Sequence, residues 1–161
     1  MHPRAAALID QLGLIPHPEG GFYRELHRSA VTVQPLDGRP LRTGLTTIYF
    51  LLPEGAHSRW HRVTSDEAWH LYEGSALDLF QASPDGSSLQ RIVLGPPLAT
   101  GAPVHVVPAG YWQAARPSGA YTLVGCTVGP GFDFADFSFL RDTPESLARL
   151  RRIDPALAAL A

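Results

Sequence analysis

No lysine occurs in this chain, and all thirteen cationic side chains are arginines. An arginine fork grips carboxylates and phosphates at two points, but thirteen arginines against fifteen acids leave a formal net charge of −2. That balance lacks the basic stripe needed to neutralise a phosphate backbone, so nucleic acid is not an expected partner. The single cysteine, Cys126, excludes an intrachain disulfide and fits a reducing, cytoplasmic setting. It lies in the apolar run YTLVGCTV with nothing nearby in sequence to lower its pKa, which points to a buried structural thiol and not a nucleophile. The N-terminal stretch MHPRAAALIDQLG has too short an apolar run, broken by Asp10, so it reads as neither signal peptide nor membrane span. No membrane association is expected.

Apolar surface, by contrast, is plentiful. Of the 161 residues 45% are hydrophobic and 9% aromatic, enough for the core of one domain spanning residues 1–161. Ala5, Leu8, Ile9 and Leu12 recur at helical spacing between Pro3 and Gly13, which predicts a short amphipathic helix over 3–13. From Phe22 to about Leu140 the pattern changes to short β-rich runs such as FYRELHR, LTTIYFLL, EAWHLY, ALDLFQA, LQRIVLG and VHVV, separated by Gly, Pro, Asp and Ser. That rhythm predicts an all-β sandwich or barrel with its core over about 15–140. Asp85-Gly86 is the best hairpin turn. Thr143 or Asp142 should cap a second helix over 144–152 with Pro144 in its first turn, and Asp154-Pro155 restarts a further turn.

The stretch GAHSRWHRVTSDEAWHLYEG carries the chemistry. Gly55, His61, Val63, Glu67 and Gly74 stand at the spacings of a motif in which glycine is followed by His-x-His, glutamate and a closing glycine, with Val63 in place of the second histidine. The frame resembles the first motif of the cupins. Side chains two apart on a strand share a face, so His61 pairs with Val63 and Glu67 with Trp69 and Leu71. The resemblance turns that set toward a barrel interior, with Trp69 as core and with His70 and Tyr72 on the opposite face. In the second cupin motif a Pro-x-Gly is followed by histidine and then asparagine. Here Pro108 and Gly110 are followed by Gln113 and Pro117 in those places. His61, Glu67 and the amide oxygen of Gln113 remain as candidate metal ligands, a poor set for a transition metal. No cofactor is expected, with a weakly held divalent metal as the alternative.

Two other stretches stand out. PHPEGGFYRE reads either as a turn into the first strand, its charged residues in water, or as a segment that sends Tyr23 or Arg24 into a barrel mouth to orient a ligand. The run from Gly129 to Phe137 alternates aromatics with carboxylates and reads as a packed strand with solvated acids.

PHPEGGFYRE, SRWHRVTSDEAWHLYEG, VVPAGYWQAA and LVGCTVGPGFDFADF together resemble the cupin-five family, a domain of unknown function often labelled as predicted sugar epimerases. The resemblance implies a double-stranded β-helix, or jelly-roll barrel, with an internal pocket, and a homodimer. We expect the dimer to pair through strands outside the interior, such as those bearing His70 and Tyr72. It points to a small-molecule ligand, with His61 and Glu67 as candidate catalytic groups and Tyr23, Arg24, Ser58 and Gln113 as candidate ligand-binding residues. Three functions follow: a metal-independent isomerase or epimerase acting on a sugar-like or hydroxylated substrate with His61 as base, a non-catalytic ligand-binding cupin, or a metal-dependent oxygenase or isomerase.

Overall fold

Period-two alternation between turn residues breaks the chain into short strands, and the computed structural model describes them over residues 1–97 and 101–161. In chain order these are β1 (Ile15–Pro16), β2 (Phe22–Arg28), β3 (Thr32–Val33), β4 (Arg42–Thr43), β5 (Thr46–Pro53), β6 (Ser58–Val63) and β7 (Asp66–Gly74). There follow β8 (Leu77–Ala82), β9 (Leu89–Leu94), β10 (Val104–Val107), β11 (Trp112–Pro117), β12 (Tyr121–Gly129) and β13 (Phe137–Phe139). A six-stranded sheet in the order β1-β2-β5-β12-β7-β10 faces a five-stranded sheet in the order β13-β6-β11-β8-β9. The strands within each sheet pair antiparallel, giving a jelly roll. The hairpin of β3 and β4 stands apart.

Three apolar layers hold the sheets. Phe50, Leu52, Trp69, Leu77, Leu79 and Val124 fill the space between them. The outer face of the five-stranded sheet, with Trp60, Phe80 and Trp112, is covered by Leu150 of helix α2 (Pro144–Ile153) and Ala158 of helix α3 (Pro155–Ala158). Leu51, Tyr121 and Leu123, on the outer face of the six-stranded sheet, are covered by Ala5 and Leu8 of helix α1 (Pro3–Leu12). Each fully buried Leu or Phe contributes about 1.5–3 kcal/mol, so the interior outweighs any single surface contact. The helices lie where sequence spacing puts them. α1 stops at Gly13 in the left-handed conformation, α2 opens with Pro144 after Thr143 but without a side-chain cap bond, and Asp154 caps α3 through the amide of Leu157.

The 129–137 run departs from its expected form. It contains a short 3-10 turn, Phe134–Asp136, and Asp136 is buried instead of solvated. Its carboxylate receives Arg42 Nη2 at 2.8 Å, Arg42 Nε at 2.9 Å and Arg39 Nη1 at 2.8 Å. That clasp ties the β3–β4 hairpin to the turn, and the arginine fork makes burial of the acid tolerable. His70 and Tyr72 point to the outer face of the six-stranded sheet. Tyr72 there meets Tyr49 edge-on, with ring centroids 6.0 Å apart.

Gly74 closes the motif for a steric reason. Its φ is +101°, and a Cβ added there would stand 2.4 Å from the Tyr121 carbonyl oxygen. Gly55 has a similar φ of +79° but open space around it. Gly55→Ala should therefore lose about 1 kcal/mol from backbone strain, and Gly74→Ala clearly more because β12 must also shift. Urea unfolding midpoints of the two variants check the order.

Candidate functional site

Alternation along four strands delivers the floor of an internal cavity. His61 and Val63 on β6, Glu67 on β7, Cys126 and Val128 on β12, and Thr46 and Ile48 on β5 line a cavity of about 340 Å³, within the range of small-ligand pockets. β11 pairs with β6 so that Gln113 stands opposite His61.

Trp69 sets the direction of the hydrogen-bond network beneath this floor. Its indole N–H, which can only donate, gives to Gln113 Oε1 at 2.9 Å. The amide nitrogen of Gln113 is therefore the end turned toward the acids and the imidazole. It donates to Glu67 Oε2 at 2.5 Å and to His61 Nε2 at 3.0 Å. His61 Nε2 must then carry a lone pair, which places the ring proton on Nδ1, where it is donated to the Arg59 carbonyl at 2.7 Å. His61 is the neutral tautomer, and both its nitrogens are engaged.

The PHPEGGFYRE segment closes the cavity, and Glu19 is its contribution. The Arg59 amide holds the Glu19 carbonyl at 2.8 Å, and Ser58 Oγ donates to Glu19 Oε1 at 3.0 Å. Glu19 Oε2 lies 3.2 Å from His61 Nε2 and 3.8 Å from His17 Nδ1. Gly20 makes this approach possible. Its φ is +116°, and a Cβ would stand 2.2 Å from the His57 carbonyl oxygen. His17 accepts the Glu19 backbone N–H at Nδ1, so it too is neutral. Burial pushes the Glu19 and Glu67 carboxyls above their usual range, and it pushes the His61 and His17 imidazoles below theirs.

The residues singled out from sequence separate into groups. His61, Glu67 and Gln113 converge. Tyr23 lines the cavity and meets His17 edge-on, ring centroids 4.4 Å apart. Ser58 is buried and acts through Glu19. Arg24 is not brought in: it follows inward-facing Tyr23 on β2, so alternation sends it to the other face, where Nη1 donates to the Leu12 carbonyl at 3.0 Å. His17 and Glu19 were missed, although Gly20-Gly21 signalled a close backbone approach. Cys126 is buried against Glu67, and burial pushes its thiol well up.

The donor set does not fit a metal. The Gln113 oxygen expected as a ligand is occupied by Trp69, and the amide nitrogen facing the site cannot ligate. Among the described residues no three His, Cys, Asp or Glu side chains are grouped as a metal site.

Opposed pKa directions give opposed pH dependences. Raised carboxyl values contribute stability that is present below 4.5 and lost as pH rises through the folded values. Lowered imidazole values contribute stability that is present above 6.5 and lost as pH falls through theirs. Glu19→Gln, which removes one raised carboxyl, should gain stability relative to the parent as pH climbs above 4.5. Urea unfolding over a pH series checks this. A difference independent of pH would mean that folding leaves the Glu19 titration unchanged.

Comparison with known proteins places this architecture. The chain is similar to an uncharacterized protein of Saccharomyces cerevisiae, 29% identical over 154 residues that cover 86% of this chain and 76% of that one. Among solved structures it is similar to a protein of Shewanella oneidensis, with 35% identity, a TM-score of 0.85, and 98% and 96% of the two chains covered. It is also similar to a hypothetical protein from Leishmania major, with 32% identity, a TM-score of 0.81, and coverage of 97% and 95%. Oxalate decarboxylase from Bacillus subtilis matches at 17% identity and a TM-score of 0.58, over 80% of this chain and 30% of that one, a likeness of fold alone. Residues 6–140 match the family described as Cupin superfamily (DUF985), and with the jelly roll and its internal cavity in place, the chain belongs to that family of cupins.

Proposed function

We propose that this cupin binds a small hydroxylated, sugar-like molecule in its cavity and moves a proton on it as an isomerase or epimerase that uses no metal. The observation that carries this reading is Glu19 Oε2 facing His61 Nε2 at 3.2 Å on the cavity wall. Burial favours the acid form of the one and the base form of the other, so the pair sets a proton donor beside a proton acceptor. Such a reaction takes a proton from a carbon beside a carbonyl and returns one to the carbon or to its neighbour. Glu19, His61 and Glu67 supply the groups that carry it, and Ser58 and Gln113 hold the two carboxyls in place. Phe132, Phe134 and Phe137 give the apolar wall against which a sugar face packs.

One observation favours a binder without turnover: both His61 nitrogens are already hydrogen-bonded, leaving no free lone pair for a substrate. Proton NMR in D2O over a panel of sugars and nucleotide sugars separates the readings. Deuterium should enter one carbon of a bound sugar, and Glu19→Gln or His61→Ala should slow that exchange by about 100-fold or more. Binding without exchange establishes the second reading, and a panel with neither sinks both.

For the assembly we propose a homodimer through the outer face of the six-stranded sheet. Exposed Tyr72, Val104 and Val106 share that face. Gel filtration should give twice the monomer mass, and elution as a monomer overturns the dimer.

A further inference from the structure

Exposure divides the cavity lining into a floor and a mouth. His61, Glu19, Glu67 and Cys126 are buried at one end, whereas Phe134 is 61% exposed at the other. Phenyl rings join the two. Phe137 stacks on the His61 imidazole with ring centroids 5.3 Å apart, and it meets Phe132 at 6.1 Å and Phe134 at 6.4 Å, while those two meet each other at 5.0 Å. A lone exposed phenyl needs no explanation. This one ends an aromatic cluster that begins against the acid and base groups of the floor. The segment that carries the rings is also tied down along its length. Phe132 gives its N–H to Thr46 Oγ1 at 2.9 Å and receives Arg28 Nη1 on its carbonyl at 3.0 Å, Asp133 takes the Ala135 N–H at 2.8 Å, and the Thr64 N–H reaches the Asp136 carbonyl at 3.2 Å. The arginine clasp on the Asp136 carboxylate fixes the far end of the turn. A ligand that packs on an apolar side chain so held spends little on ordering it.

A sugar-sized head among His61, Glu19 and Glu67 lies against Phe137, the ring next to the floor, and leaves Phe134 in water. A second ring on the ligand covers it. The three phenyls stand at 80°, 73° and 66° to one another, so the wall offers faces and edges in alternation, the arrangement in which a further flat ring packs at a centroid distance of about 4.5–7 Å. We infer that the ligand has two parts: a hydroxylated head on the floor, and an aryl group, joined to it directly or through one atom, that packs on Phe132 and Phe134 at the mouth. The short link follows from Phe137, which touches floor and wall at once. The inference rests on the cavity being the ligand site, as in the proposed function, and adds to that reading the part of the ligand that does not react.

Titration calorimetry on the full chain tests it with two matched sets of unreactive probes: methyl, cyclohexyl and phenyl β-glucoside, then 3-methoxy-, 3-cyclohexyloxy- and 3-phenoxy-1,2-propanediol. In at least one set the phenyl compound should bind about tenfold tighter than the methyl compound, a ratio within reach of one aromatic contact and its buried area, and tighter than the cyclohexyl compound, which matches its size but is not flat. Phe134→Ala should bring the phenyl-to-methyl ratio close to one, and Phe134→Trp should keep it. A methyl or cyclohexyl compound that equals the phenyl, or a ratio that survives Phe134→Ala, overturns the inference and leaves the cavity reading standing. If no member of either set binds, both fall.

Discussion

Desolvation of charge is the constraint on which the rest of this structure depends. Two carboxyl groups and an imidazole sit in one interior, where an unpaired charge costs several kcal/mol, and no lysine exists in the chain to neutralise them. The fold answers with directed hydrogen bonds. The indole of Trp69 orients Gln113, which serves Glu67 and His61 together, while Ser58 serves Glu19. Arginine handles the buried acid elsewhere, at Asp136, because two forks reach that site from the β3–β4 hairpin.

The site therefore differs in kind from a metal centre built on the same frame. Val63 takes the place of one imidazole and Gln113 of another, and a carboxyl group from outside the two cupin motifs stands beside His61. Glu19 comes from the loop before β2, with His17 beside it. What results is a cluster of groups that hold or release protons, enclosed by phenyl rings.

Much of the fold was legible because it rests on local rules. The helix over Pro3–Leu12, the run of strands and the Asp85-Gly86 hairpin between β8 and β9 follow from spacing and turn chemistry. His61, Glu67 and Gln113 were legible as a convergent set because motif spacing and strand parity fix them together. Glu19 was not, since its position depends on the Arg59 amide and Ser58, forty residues along the chain. Asp136 was missed for the same reason: its arginines lie on a hairpin about 95 residues away in sequence. Parity alone should have ruled out one of Tyr23 and Arg24, because neighbours on a strand cannot both face inward.

The bond from Trp69 to Gln113 also constrains how this sequence can change. A single exchange of Gln113 for histidine would leave the indole hydrogen without its amide acceptor and strip Glu67 of its donor in one step. Exchange of Trp69 alone would free the amide to turn over and present its oxygen to a carboxyl group that cannot donate unless protonated. The two positions are therefore coupled, and a substitution at one changes what the other can hold.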